Sequence, residues 1–276
     1  MAQNSRIEWT HHTFNPWWGC TKVSPGCDHC YAETWARRTG HNVWGHRASR
    51  RELSDNYWRQ PLIWDREARQ QNQRARVFCA SMADVFEWRA DVRHLRDRLW
   101  WLIDSTPSLD WLLLTKRPHL VARLVPWRNA EWPANVWLGT TVESQRWLER
   151  RMPYVAELSA KTRFLSCEPL LGPIDIAQWR GSIDWIIAGG ESGCNARPSD
   201  PEWFRSLRDQ CKTLGVPFHF KQWGEWAPAT RNGSQGKARS QTYDIELIRW
   251  GKKRSGRKLD GQTWDEFPNA SALIFP

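Results

Sequence analysis

Seven short apolar segments recur along the chain, separated by longer segments with a helical pattern. Each apolar segment is rich in β-branched or aromatic residues and is bounded by Gly, Pro or polar residues, which predicts a β-strand. Strands that alternate with helices predict a parallel sheet with the helices outside it. The predicted strands are Thr13–Trp18, Arg76–Ser81, Trp111–Lys116, Val136–Val142, Arg163–Glu168, Trp185–Gly190 and Pro217–Gln222.

Several of these strands are almost continuously apolar, as in WLLLT and WIIAGG, which is typical of strands covered on both faces. Polar residues gather where nearly every strand ends, and barrel enzymes build their sites at the carboxyl ends of the strands. Helix capping explains any one of these residues equally well. The pattern as a whole favours an α/β fold with a full or partial TIM-like (β/α) barrel over an open doubly wound sheet. The strand-end residues are Ser81, Asp84, Thr115, Lys116, Thr140, Glu143, Ser166, Glu168, Gly190, Glu191, Lys221 and Gln222.

Three helices have recognisable patterns or ends. Asp91–Ser105 carries its apolar residues on one stripe, and Ser144–Ser159 begins at a serine suited to capping. Pro201–Leu214 follows Asp200, with proline at the first helical position and Gly215 after the last. These segments are predicted to be outer helices of the barrel.

The C-terminal part of the chain has a different composition. The barrel is predicted to occupy residues 1–224, and residues 225–276 are predicted to form a small basic extension packed on it. This extension contains the polar stretch RNGSQGKARS, and we expect a β-hairpin turning at Arg254–Gly256. Its positive charges lie close together at Arg249, Lys252, Lys253, Arg254, Arg257 and Lys258.

Charge and tryptophan content point to a class of partner. The 276-residue chain has 40 Lys and Arg against 30 Asp and Glu, a net charge of +10, which predicts attraction to an acidic partner such as nucleic acid. A merely basic surface is the alternative. Most of the 22 tryptophans are expected in the core, and a few are candidates for stacking on bases.

No apolar run is long enough to span a membrane, and the N-terminus MAQNSRIEW lacks a signal pattern. The seven cysteines are an odd number and are not arranged like a disulfide scaffold. We therefore expect a cytoplasmic protein whose thiols stay reduced and can hold a metal.

Three of the cysteines lie within WWGCTKVSPGCDHCYAE, residues 17–33, with the spacing C-x6-C-x2-C. Thiolates are soft anionic ligands for iron and zinc. On a four-iron cluster, Cys20, Cys27 and Cys30 would leave one iron without a protein ligand, open to substrate or cofactor. The alternative is a zinc knuckle whose fourth ligand is His29, His11 or His12.

The chain resembles the radical S-adenosylmethionine (SAM) superfamily and, more narrowly, a family of radical-SAM-like proteins associated with bacteria and bacteriophages. The resemblance rests on WGCTKVSPGCDHCYAE, SCEPLLGPI, AGGESG, FKQWGEW and GRKLDGQTWDEFP, which span residues 17 to 268. The usual superfamily spacing is C-x3-C-x2-C with an aromatic residue before the third cysteine. This chain has the longer first spacing and His29 at that position.

The resemblance implies a [4Fe-4S] cluster on Cys20, Cys27 and Cys30, with SAM chelated by the open iron. An electron from an external donor such as flavodoxin or ferredoxin would cleave SAM, and the resulting 5′-deoxyadenosyl radical would take a hydrogen from the substrate. Together with the charge, it predicts DNA repair or base modification, with DNA favoured over RNA and the target base exposed. The alternatives are a radical enzyme for a small metabolite or peptide, and a non-catalytic, zinc-stabilised nucleic-acid-binding protein.

The resemblance also suggests roles for the strand-end residues. The superfamily's GGE-like motif is absent, so Ser81 and Asp84 are predicted to replace it, and Thr115 and Lys116 to meet the cofactor carboxylate. Cys194 is the candidate catalytic residue, a thiol that returns a hydrogen atom to a substrate radical. The other predicted cofactor-binding residues are Thr140, Glu143, Gly189, Gly190 and Glu191, and the predicted substrate-binding residues are Arg197, Lys221, Lys252, Lys253 and Arg254.

Overall fold

The computed structural model describes residues 5–127, 132–229, 239–240 and 245–268. Within these ranges the strands are β1 (His12–Phe14), β2 (Trp17–Trp18), β3 (Arg51–Glu52), β4 (Ala75–Cys79), β5 (Leu109–Thr115), β6 (Val136–Thr141), β7 (Thr162–Cys167), β8 (Trp185–Gly189), β9 (Phe218–Gln222), β10 (Trp226–Pro228), β11 (Arg239–Ser240) and β12 (Leu247–Arg249). The helices are α1 (Tyr31–Arg38), α2 (Asp55–Trp58), α3 (Gln60–Gln70), α4 (Arg93–Asp104), α5 (Pro118–Leu124), α6 (Gln145–Ala156), α7 (Pro201–Leu214) and α8 (Lys252–Ser255).

The main sheet of the described chain has seven parallel strands in the order β1-β4-β5-β6-β7-β8-β9. The sheet curls into a half-barrel, and the prediction of an α/β TIM-like barrel is confirmed in its partial form. The first predicted strand is divided, because β2 leaves this sheet and pairs antiparallel with β3. Pro16 lies between β1 and β2, and proline cannot donate to a continuing ladder.

The three predicted helices are present as α4, α6 and α7. Helix α7 has both predicted ends: the Asp200 carboxylate accepts from the Glu202 amide at 2.9 Å, and Gly215 takes a left-handed conformation at φ 69°. Ser144 occupies the N-cap of α6, but its side chain makes no capping hydrogen bond. The starts of α6 and α7 were therefore predicted correctly, but of these two helices only α7 has a side-chain cap.

Aromatic side chains fill the concave face of the half-barrel. Phe78, Trp137, Phe164 and Trp185 form a buried cluster with Trp9, while the opposite face of the sheet packs against the helices. Ring centroids in the cluster lie 4.6 to 6.5 Å apart, a range in which aromatic pairs attract. This cluster accounts for part of the high tryptophan content.

The C-terminal segment packs along the edge strand β9. Strands β10, β11 and β12 form an antiparallel sheet, and the Phe220 amide donates to the Trp264 carbonyl at 3.0 Å. The hairpin predicted at Arg254–Gly256 is wrong, because residues 252–255 form the short helix α8. This segment, KKRS, contains no β-branched or aromatic residue that would favour a strand.

The predicted loop RNGSQGKARS lies outside the described residues except for the backbone of β11. None of the helices in the described ranges is both long and apolar enough to cross a membrane.

Candidate active site

The three clustered cysteines lie at the carboxyl edge of the half-barrel. Cys20 follows β2, Cys27 ends a 3-10 turn at Pro25–Cys27, and Cys30 is the N-cap residue of α1. All three are free thiols and line one cavity of about 530 Å³, referred to below as the cysteine cavity. Trp9 and Phe78 of the aromatic cluster also line it, so the cavity has apolar rings as well as sulfur atoms in its wall.

The base of the cysteine loop fits against the polypeptide around β4. The Gly19 amide donates to the Met82 carbonyl at 3.0 Å. Gly19 has φ 117°, and a Cβ there would lie 2.3 Å from the Val43 carbonyl oxygen. Only glycine adopts this conformation readily and leaves room for that carbonyl, which fixes the chain direction directly before Cys20.

Glu143 supports the cysteine loop from beneath. The Ser24 hydroxyl donates to one oxygen of Glu143, and Arg151 donates to the other at 2.7 Å. A Cβ on Gly26 would lie 2.5 Å from the Glu143 carboxylate, so the loop backbone rests directly on this side chain. Glu143 does not line the cysteine cavity, and its oxygens are engaged within the protein.

A second clamp holds the outer side of the loop. Arg197 donates to Glu191 through its amide, Nε and Nη2 at 2.6 to 2.9 Å, and Nη2 also reaches the Pro25 carbonyl at 2.8 Å. Burial raises the pKa of Glu191, but the hydrogen bonds from Arg197 and His29 outweigh it, and the pKa is lowered. The guanidinium predicted to bind substrate is therefore occupied with positioning the loop.

Arg117, which the sequence reasoning missed, lies beside Cys20. Its Nη1 is 3.7 Å from the Cys20 sulfur and 2.8 Å from Asp84 Oδ2, and its Nη2 donates to the Thr21 carbonyl at 2.7 Å. The only sequence signal for it was its position directly after the strand-end pair Thr115 and Lys116. Arg117 places a buried positive charge next to a sulfur that becomes anionic when it binds a metal.

Asp84 anchors this arrangement. Its carboxylate accepts hydrogen bonds from the Thr115 hydroxyl, from the Lys116 and Phe86 amides and from Arg117. Burial raises its pKa, but Arg117 and these hydrogen bonds outweigh that effect, so the pKa is lowered and the group stays ionised. With four donors already on its two oxygens, Asp84 orients Arg117 more readily than it could bind a cofactor.

The sulfur atoms are a chemically suitable donor set for an iron–sulfur cluster. Burial raises the pKa of Cys20 to about 12, against the opposing effect of Arg117, and burial also raises that of Cys30. These thiols are therefore protonated at neutral pH until a metal displaces the protons. Within the described ranges, no three His, Cys, Asp or Glu side chains are grouped closely enough to hold a single metal ion.

The histidines considered for zinc have other surroundings. His29 Nδ1 lies 3.2 Å from Glu191 Oε2. His11 accepts from the Arg76 amide at 2.8 Å, and the His12 ring stacks on Trp64 at 4.4 Å. His11 and His12 lie at the start of β1, at the opposite edge of the sheet from the cysteines.

Lys116 is the cation best placed for an anionic cofactor group. Its Nζ donates to the Thr141 hydroxyl at 3.1 Å, and it has no carboxylate partner among the residues that the structure describes. Lys221, in contrast, is neutralised by Glu168 at 2.7 and 2.9 Å. Lys116 therefore brings an unpaired ammonium group to the cysteine cavity, whereas the ammonium group of Lys221 is paired.

The structure brings some predicted site residues to the cysteine cavity and leaves others away from it. Thr140 donates to the Thr115 carbonyl inside the sheet, and its neighbour Thr141 lines the cavity instead. A Cβ on Gly190 would lie 1.9 Å from the Trp223 carbonyl oxygen, so close backbone packing explains this glycine. The predicted residues that line the cavity are Ser81, Asp84, Thr115, Lys116, Gly190, Glu191, Lys221 and Lys252, and those that do not are Thr140, Glu143, Gly189, Arg197, Lys253 and Arg254.

A second cavity of about 820 Å³ adjoins the first. Cys30, Tyr31 and Ser81 line both cavities, and Cys194 lines the second, here called the outer cavity. Cys194 is exposed, and Arg249 donates to the carbonyl groups of Gly193 and Cys194. The predicted catalytic thiol thus lies in the chamber next to the cysteine cavity.

Comparison with known proteins gives a family and a general fold likeness. The profile of a family described as "Protein of unknown function (DUF5131)" matches residues 4–268. No curated protein matches the chain. Spore photoproduct lyase complexed with dinucleoside spore photoproduct is 13% identical over 92% of this chain and 72% of its own, with a TM-score of 0.49. A mutant of that enzyme with bound AdoMet and dinucleoside spore photoproduct is also 13% identical, over 90% and 71%, with a TM-score of 0.49.

Proposed function

The chain belongs to the DUF5131 family, and we propose that this member is a radical SAM enzyme that acts on nucleic acid. The observation that carries the proposal is the cysteine cavity itself. Three free cysteines open into one chamber at the carboxyl edge of a parallel half-barrel, where an unpaired lysine also lies. Sites of barrel enzymes are built at this edge, and three thiolates on a four-iron cluster leave one iron open.

The residues of the cavity have distinct tasks in this proposal. Cys20, Cys27 and Cys30 would hold a [4Fe-4S] cluster, and Lys116 would bind the carboxylate of SAM. When bound, the cluster and SAM would supply a 5′-deoxyadenosyl radical that takes a hydrogen atom from the substrate. Arg117, 3.7 Å from the Cys20 sulfur, offsets the charge of the thiolate, and the rings of Trp9 and Phe78 give the cavity an apolar lining.

Nucleic acid is the proposed substrate class because of charge and access. The net charge of +10 favours a polyanion, and the outer cavity, which is lined by the exposed ring of Trp35, adjoins the cysteine cavity at Cys30. Repair or modification of a base, with DNA favoured over RNA, requires that the base leave its stack to reach the cavity.

Anaerobic reconstitution tests the reaction class. The protein is incubated with iron, sulfide, dithionite and SAM, and 5′-deoxyadenosine is measured by chromatography. We expect its formation by the wild type and its loss in alanine variants of Cys20, Cys27 or Cys30. Cys211→Ala is the matched control, because this thiol is free and buried but lies outside both cavities, and it should retain iron and activity. A colourless protein that carries zinc would overturn the proposal.

Cys194 is proposed to return a hydrogen atom to the substrate radical, since it is an exposed thiol in the adjoining chamber. Cys194→Ala should then still form 5′-deoxyadenosine while failing to give the correct product. A variant that yields the same product as the wild type would exclude this role.

A further inference from the structure

Helix α1, which starts at the third cysteine, exposes two aromatic rings and a cation on one face. Tyr31, Trp35 and Arg38 follow each other at i, i+4 and i+7, a spacing that places them on one stripe. Tyr31 is 56% exposed and Trp35 is 48% exposed, whereas Ala32 and Ala36 on the other face are buried. Large aromatic side chains left in solvent along a single face point to a contact surface.

This stripe forms one wall of the outer cavity. A volume of about 820 Å³ is within the range of small-molecule sites and is large enough for a nucleotide. The Tyr31 hydroxyl donates to the Ser81 carbonyl at 3.0 Å, which fixes the ring at the junction of the two cavities. A ligand held along α1 would therefore lead directly to the cysteine cavity.

The charges around the outer cavity favour an anion. Glu33 is already paired with Arg37 at 2.6 Å and Lys22 at 3.2 Å, and Asp28 lies 3.5 Å from Arg197. Arg6 and Arg38 are exposed and have no carboxylate partner in the described part of the chain. The charged residues that line the cavity are Arg6, Lys22, Asp28, Glu33, Arg37 and Arg38.

We propose that the outer cavity binds an unpaired segment of nucleic acid, with one base stacked on Trp35 and adjacent phosphates on Arg38 and Arg6. The neighbouring nucleotide would then pass Tyr31 into the cysteine cavity. Single-strand-binding proteins use this combination of an exposed aromatic ring and nearby guanidinium groups that have no carboxylate partner. This inference rests on the proposed function, since it names the surface that would present the substrate to that site.

Fluorescence anisotropy with a labelled single-stranded oligonucleotide tests the surface on the reconstituted protein. Trp35→Ala should weaken binding about 5- to 150-fold, the range for loss of one stacked base, and Trp35→Phe should restore most of the affinity. Arg38→Gln should reduce the slope of log affinity against log salt by about 0.7, the value for one phosphate contact to a single strand. Parallel titrations with DNA and RNA oligonucleotides distinguish the two sources of the ligand.

Trp101→Ala is the matched control, because Trp101 is 59% exposed on α4 and lines neither cavity; its affinity should equal that of the wild type. Oligonucleotide binding that is indifferent to Trp35 and Arg38 would overturn the inference and leave the proposed reaction intact. Trp35-dependent binding by a protein that holds no iron would support the surface and overturn the radical chemistry.

Discussion

Glu143→Gln tests whether a buried ion pair holds the cysteine loop in place. Glu143 and Arg151 side chains are 1% and 3% exposed, and Arg151 Nη1 lies 2.7 Å from Glu143 Oε2. The other oxygen of Glu143 accepts from Ser24 in the loop, and Gly26 packs against the carboxylate. Removing the charge of Glu143 should therefore lower the free energy of unfolding and weaken iron binding by the cysteines.

The magnitude follows from the burial of both groups. Removing one partner of a buried ion pair destabilises a protein by about 3–5 kcal/mol, because the remaining charge stays buried without a counterion. Glutamine keeps an oxygen that can accept from Arg151, so we expect the lower end, about 3 kcal/mol. Burial already lowers the pKa of Arg151 despite the opposing effect of Glu143, and the variant removes that compensation.

The assay is urea unfolding of the metal-free protein, followed by iron analysis after anaerobic reconstitution. Glu202→Gln is the matched control, because Glu202 also pairs with an arginine, Arg205, but is 63% exposed on α7. Exposed pairs contribute about 0.2–1 kcal/mol. If Glu143→Gln loses no more stability than this control and retains full iron content, the carboxylate does not support the loop.

Three further changes have defined outcomes. Gly190→Ala should lower the free energy of unfolding by about 1–3 kcal/mol, because its Cβ would lie 1.9 Å from the Trp223 carbonyl oxygen; an unchanged melting temperature would contradict this. Burial lowers the pKa of His219 to about 4, so only the unfolded chain binds this proton between pH 6.5 and 4. As the pH falls from 6.5 to 4, the free energy of unfolding of the wild type should therefore decrease by about 3 kcal/mol because of His219. His219→Phe should lack this decrease, and equal pH dependence of the two proteins in urea titrations would exclude the effect. Arg117→Lys should lower the reduction potential of a reconstituted cluster, because the hydrogen bond from the guanidinium group to the Cys20 sulfur is lost. Identical potentials of the variant and the wild type in a redox titration would show that this hydrogen bond does not act on the cluster.

The fold was predictable because the strands carry two independent signals. Segments such as WLLLT and WIIAGG are apolar throughout, and turn or polar residues mark their limits. Parallel strands bring their carboxyl ends to one edge, so the gathering of Ser81, Thr115, Lys116 and Lys221 around the cysteines followed from the strand order. The exception, the early end of β1, came from the single proline at position 16.

The details of the site depend on contacts that a sequence does not encode locally. Neighbouring residues of a strand face opposite sides, so a shift of one position exchanges Thr140 for Thr141 at the cavity. Glu143 and Arg197 are charged residues near strand ends, yet both bind the cysteine loop. Glu143 accepts a hydrogen bond from Ser24 and Arg197 donates one to the Pro25 carbonyl, in each case across more than a hundred positions of the chain. The role of Arg117 depends likewise on the approach of Cys20, which lies 97 positions earlier in the chain.

Electron paramagnetic resonance of the reduced, anaerobically reconstituted protein, recorded with and without SAM, tests the open iron most directly. A cluster held by Cys20, Cys27 and Cys30 alone should give a [4Fe-4S] signal whose shape changes when SAM is added, because SAM would bind the iron that lacks a cysteine. Each alanine variant of the three should lose that signal, and Cys211→Ala should keep it. A spectrum that is indifferent to SAM, or a protein that takes up zinc in place of iron, would contradict the account.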